Sequence, residues 1–165
     1  MVIEFDAVQP IGARTCCDLP GKTGKYSHEW LDQDVPEYVQ EFEELLSGKS
    51  HASLSRRHHL DALGQIRSLK RRAGKGQLRV GKDRSFPARV IRIVPYLLEL
   101  RPALSAPRVF RLYYAEPKEP DGALLPLVLS TKPASSDNSE QNASIEDAKA
   151  RSRTWTMYKV IGGSK

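Results

Sequence analysis

The stretch LLELRPALSAPRVFRLYYAEP (residues 97–117) decides the fold. Two short apolar runs flank a Pro-containing connection, and each run carries an arginine. In a strand, successive side chains point to opposite faces. Val109, Arg111 and Tyr113 therefore share one face, and Phe110, Leu112 and Tyr114 share the other. In LLELR, Glu99 and Arg101 lie with Leu97, while Leu98 and Leu100 face away. One face is apolar enough to pack on helices. The other carries Arg, Glu and Tyr, so Arg111 must either pair with Glu99 or sit solvated in a groove.

Working outward, ARVIRIVPYLLELR precedes this pair, with Pro95 interrupting it, and ALLPLVLSTK follows. Pro126 breaks the regularity of that last run and suits an edge or a bulge. The simplest topology is an antiparallel meander. Upstream, Asp34 with Glu37 resembles a capping box, and Val35, Val39, Phe42 and Leu46 fall at helical spacing, with Gly48 as a stop. A second helix starts near Ser53 or Ser55. It lines up Leu63, Ile66 and Leu69 and ends at Gly74 and Gly76. VIEFDAV (residues 2–8) reads as a first strand and residues 9–30 as a loop. Beyond the polar stretch PASSDNSEQNAS, Ser144 with Asp147 marks a third helix with Ile145, Ala148, Ser152 and Trp155 on one side. The expected fold is α+β: a small antiparallel twisted sheet packed against two N-terminal helices, with a C-terminal helix. Residues 1–33 form an N-terminal strand and insertion, 34–158 the main domain and 159–165 a tail, one domain overall.

The chain has 165 residues, enough for one core, and a net charge of +6. That charge favours phosphates or an acidic partner protein. The two cysteines, Cys16 and Cys17, are adjacent and read as reduced thiols. No run reaches the length of a membrane span and the N-terminus does not read as a secretory signal, so a cytoplasmic protein without membrane contact is expected. GKTGK (residues 21–25) lacks the glycine spacing of a phosphate-binding loop. His51, His58 and His59 lack companion ligands at metal-binding spacing, and they read as solvated or capping residues. The basic run from Arg56 to Arg84 is a solvated helix face, a contact for nucleic acid or a surface for an acidic protein segment.

An ordered set of segments carries a resemblance: LLELR at 97–101, FRLYY at 110–114, LLPLVLSTK at 124–132 and QNASIEDAKARSRTW at 141–155. Together they resemble the RelE/ParE toxin superfamily, in particular its HigB-like, phage-derived branch. The resemblance implies a RelE-like fold and a toxin of a toxin–antitoxin pair, a metal-independent endoribonuclease that cleaves mRNA, often on the ribosome. It implies no cofactor and no metal. The implied partners are mRNA, the ribosome and a cognate antitoxin of helix-turn-helix type. By resemblance Arg111 contacts the scissile phosphate, and Arg101, Lys132 and Tyr158 join it as catalytic candidates. Arg108, Tyr113, Tyr114, Arg151, Arg153, Lys70, Arg71 and Arg72 are the RNA-binding candidates. Tyr114 or a histidine are further choices for the proton acceptor. The alternative is a binding module that keeps the fold without catalysis, either a topoisomerase inhibitor or a nucleic-acid-binding phage accessory protein.

Overall fold

In a computed structural model, the described residues are 27–79, 81, 87–91, 96–103, 106–120, 122–135 and 138–162. The expected strand at 2–8, the GKTGK segment and both cysteines lie outside them. Eight elements follow one another: β1 (Glu29–Trp30), α1 (Pro36–Leu46), α2 (Arg56–Gly74), β2 (Ala88–Val90), β3 (Leu97–Leu100), β4 (Arg108–Ala115), β5 (Ala123–Pro133) and α3 (Ser139–Gly162). The five strands form one mixed sheet in the order β1-β5-β4-β3-β2. The antiparallel meander, expected of three strands, is present as four, β2 to β5, because the run from Ala88 to Arg101, expected as one strand interrupted at Pro95, supplies two antiparallel strands. Added to it is β1, which pairs in parallel with the start of β5 through Glu29↔Ala123 and Trp30↔Leu124. That two-residue strand falls in the stretch read as loop, and it is too short to show an alternation.

Pro126 sits at a bulge, as its missing donor requires. The β4–β5 register passes from Tyr113↔Val128 to Tyr114↔Pro126, leaving Leu127 as the extra residue. Past Leu124, β1 no longer covers the outer edge of β5. Two side chains cover it instead. Leu129 N donates to Glu41 Oε2 at 2.8 Å, and Leu127 O accepts from Arg151 Nη1 at 2.8 Å. Glu41 and Arg151 also pair at 2.7 Å, so one ion pair between α1 and α3 satisfies the exposed edge.

The sheet lies between two helical layers. His59 of α2 packs edge-on against Phe110 at 6.1 Å, which sets α2 on the Phe110 face. Ser144 of α3 shares a 2.9 Å hydrogen bond with Ser130, which stands opposite Arg111 in the register, so α3 covers the Arg111 face. Ile145, Ala148, Ser152 and Trp155 are buried, as their spacing predicts.

Two helix readings change. Asp34 does not cap α1; Val35 holds that position without a side-chain bond, and Pro36 opens the helix. Asp34 Oδ2 instead accepts from Trp155 Nε1 at 2.9 Å. The buried face of α1 is also rotated from the expected one: Tyr38 and Leu45 are buried and Leu46 is 46% exposed. The third helix begins at Ser139, several residues before Ser144. For α2, Ser55 is the cap, with a reciprocal bond to His58. His58 thus has the capping role expected of it, while His59 is buried with Nδ1 against Ser55 O.

Both α1 and α2 end in glycines of positive φ, Gly48 at 71° and Gly76 at 65°. Lys49 N bonds Glu44 O and Gly48 N bonds Leu45 O, the paired closure of a Schellman motif. An added Cβ meets nothing within 4 Å at Gly48 or at Gly64, which lies inside α2. The two alanine substitutions therefore isolate backbone conformation. Gly48→Ala should lose about 1–2 kcal/mol by forcing a left-handed alanine, and Gly64→Ala should gain about 0.5–1 kcal/mol. Urea melts that move both proteins in the same direction would refute this.

Candidate nucleic-acid site on the sheet

Three strands bring charge to the α3 side of the sheet. Arg89 stands directly across from Glu99, and Glu99 directly across from Tyr113. Arg111 follows on β4, Ser130 and Lys132 on β5. Glu99 is 1% exposed and Arg111 is half-buried. A carboxylate removed from water needs opposite charge and hydrogen bonds close by. Glu99 Oε2 accepts from Arg89 Nε at 3.0 Å, and Glu99 Oε1 lies 2.9 Å from Arg111 Nε. Gln141 Nε2, from the first turn of α3, adds a longer bond to Oε2 at 3.4 Å. Lys132 Nζ donates to Gln141 Oε1 at 2.9 Å.

Of the two alternatives for Arg111, the structure shows the pair with Glu99, and the pairing extends to a network. One carboxylate holds two guanidinium groups, so the cluster keeps a net positive charge, and Lys132 adds to it through Gln141. The Arg89 side chain is 35% exposed and that of Arg111 15%, so the opening to solvent is on the Arg89 side. Burial pushes the pKa of Arg111 down and neighbouring Glu99 pulls it back up. Burial also raises the Tyr113 hydroxyl well above its ordinary value, with Glu99 adding to the rise.

Arg101 follows β3 by one residue. Its amide donates to Pro87 O at 2.8 Å, and extending the β3–β4 register by one step sets it across from Arg111. Its Nη2 donates to Gly81 O at 3.3 Å. Arg108 lies at the far end of β4, bonded to Thr131 and Glu140.

Other residues expected at the site are elsewhere. Tyr113 and Tyr114 are both 0% exposed, so neither offers a face for a base to stack on. α3 covers the face of Tyr113, and Tyr114 packs on Trp30 at 5.2 Å. The burial of Tyr114 also removes it as a proton acceptor. Tyr158 is 73% exposed and 17 residues beyond Gln141. At the helical rise that separation is about 25 Å, too far to act at Arg111. Lys70 points inward: its ammonium is held by Asp32 and the Tyr38 hydroxyl and lies 4.9 Å from the Trp30 ring centre. Arg151 is occupied by Glu41 and Leu127 O. These two cations tie elements of the fold together, away from the Arg111 cluster. Arg71 and Arg153 are exposed, and Arg72 is half-buried.

Arg89 and Gln141 were not singled out from sequence. Arg89 carries a readable signal only once the β2–β3 register is known, because it faces Glu99 directly. Gln141 lies in the stretch read as a polar loop. Among the described residues, no three His, Cys, Asp or Glu side chains gather as metal ligands, and no helix is long and apolar enough to cross a membrane. No family model, curated protein or solved structure matches the chain.

Proposed function

We propose that this chain is a toxin-type, metal-independent endoribonuclease of RelE-like architecture, with Arg111 and Arg89 as its phosphate-binding groups. The observation that carries the reading is the convergence of two guanidinium groups, from β2 and β4, on one buried carboxylate of the strand between them. Guanidinium forks match phosphate oxygens bidentately, and two of them can take up the charge that builds on a phosphorane without a metal. In that reaction a ribose 2′-hydroxyl gives its proton to solvent and bonds to the adjacent phosphorus, and the bond from phosphorus to the 5′-oxygen breaks as that oxygen takes a proton from solvent. The products are a 2′,3′-cyclic phosphate and a free 5′-hydroxyl, so no water is consumed. Glu99 is sealed from substrate, and its part is to hold both arginines in place. Arg101 and Lys132 add positive potential at the two ends of the cluster. An antitoxin that neutralises the chain would have to cover the Arg89 opening.

In a translating extract, wild-type protein should cut mRNA. Arg111→Ala should lower the rate about 100–1,000-fold, as for removal of one charge-stabilising donor. Arg111→Lys keeps the charge but loses the fork and should recover only part of the rate. Intact RNA with wild-type protein would overturn the reading.

A second reading, a non-catalytic binding module on the same fold, is favoured by one observation: the complete burial of Tyr113 and Tyr114, which leaves the cluster without a base-stacking surface. Growth arrest with intact RNA is its signature.

A further inference from the structure

The exposed side of α2 is a second cationic surface, in the helical layer on the opposite face of the sheet from Arg111. Within Arg56–Gly74 there are six Arg and Lys residues against one acid, Asp61. At 100° per residue, Arg56, Arg57, Arg67 and Arg71 fall within about 100° of arc, and Lys75 just past the helix continues it. The opposite arc holds the buried His59, Ala62, Leu63, Ile66, Leu69 and Ala73. All five cations on the outer arc are exposed, and none forms an ion pair among the described residues. A bare solvated face usually mixes both signs, with Glu or Asp spaced to offset Arg. Here the exposed Leu60 lies in the middle of the arc, with Gly64 nearer one side and Ser68 just past it, all exposed, and Gly64 has open space above it.

We propose that this arc binds the phosphodiester backbone of double-helical RNA. Three features point to a duplex. The helix is a rod about 28 Å long, able to reach phosphates on both sides of a groove. Midway along it, the small Gly64 and Ser68 let a backbone approach closely beside the exposed Leu60. The arc carries no aromatic side chain, so it lacks the stacking platform on which single strands depend. Recognition is by charge and shape, without reading bases. The surface is independent of the cleavage chemistry proposed for Arg111. It would hold a folded RNA on one side of the sheet while the arginine cluster acts on the other.

The test uses the full chain and a 2′-O-methyl RNA duplex, which cannot undergo attack by its own 2′-oxygen, so binding is read apart from cleavage. Fluorescence anisotropy should show tighter binding to the duplex than to single-stranded 2′-O-methyl RNA of the same length. Its logarithmic salt slope should fall by about 2 in Arg67→Glu/Arg71→Glu, with affinity reduced at least about 10-fold. Both arginines are exposed, and a circular dichroism melt checks that the variant stays folded. Lys49→Glu/Lys159→Glu, an equal charge change on the loop after α1 and in the last turn of α3, should lose far less. Equal losses in the two variants, or tighter binding of the single strand, would overturn the proposal. So would displacement of the duplex by polyglutamate at lower concentration than by a second RNA duplex, which would assign the arc to an acidic protein segment.

Discussion

Glu99→Ala should cost about 3–5 kcal/mol of folding stability, the range for removing one partner of a buried ion pair. The size comes from what is left behind. Arg89 and Arg111 both lie against this carboxylate, and Gln141 completes its hydrogen bonds. Without it, two guanidiniums repel each other beneath α3, one of them with its side chain only 15% exposed. The Tyr113 ring loses the polar neighbour across the strand pair. Glu99→Gln removes the charge and keeps the shape, and its loss should be nearly as large because the repulsion is the same. The discriminating variant is the triple change Glu99→Leu, Arg111→Met, Arg89→Leu. Apolar residues of similar volume can replace a buried charge cluster at little cost. This variant should therefore be more stable than Glu99→Ala while losing every trace of RNA cleavage. Chemical denaturation of the three proteins checks the order. A Glu99→Ala variant as stable as wild type would mean that water reaches the cluster freely and that the carboxylate does not organise the arginines.

The same cluster explains what could and could not be read from sequence. The β4 alternation was legible because its faces differ in kind: Phe110 and Leu112 against Arg111. Once Glu99 was placed on the matching face of β3, a pair with Arg111 was the cheapest way to bury either. Arg89 escaped because its position depends on the β2–β3 register, which the residues around Pro95 obscure. The start of α3 escaped for a different reason. Helices are recognised by an apolar stripe, but Gln141 and Ser144 pack on Glu99, Lys132 and Ser130, polar residues against polar residues. A helix docked on a charged sheet face reads as a loop. The buried face of α1 includes Tyr38, whose hydroxyl accepts from the Lys70 ammonium, and no periodicity within α1 encodes a cation from another helix.

Trp155→Ala is the other large effect expected, about 3–5 kcal/mol, the usual loss for removing a buried tryptophan side chain. Trp155 is 4% exposed and fastens the C-terminal half of α3 to the segment before α1, donating to Asp34 Oδ2 at 2.9 Å. The rest of α3 offers little apolar area in exchange: its other buried residues include Gln141, Ser144, Ser152 and Thr156. Ile145 and Ala148 are the apolar contacts that remain. Trp155→Phe retains most of the burial and loses only the indole hydrogen bond. Because Asp34 keeps access to water, that variant should lose about 1 kcal/mol beyond its smaller ring's reduced burial. Hydrogen exchange locates the effect. In Trp155→Ala the amides of α3 should exchange faster than those of β3 and β4, since the helix lets go before the sheet does. Because α3 also covers Glu99 and Arg111, loosening it admits water to the cluster. If α3 and the sheet instead lose protection together, helix and sheet form one cooperative unit, and access to the arginines is limited to the Arg89 side.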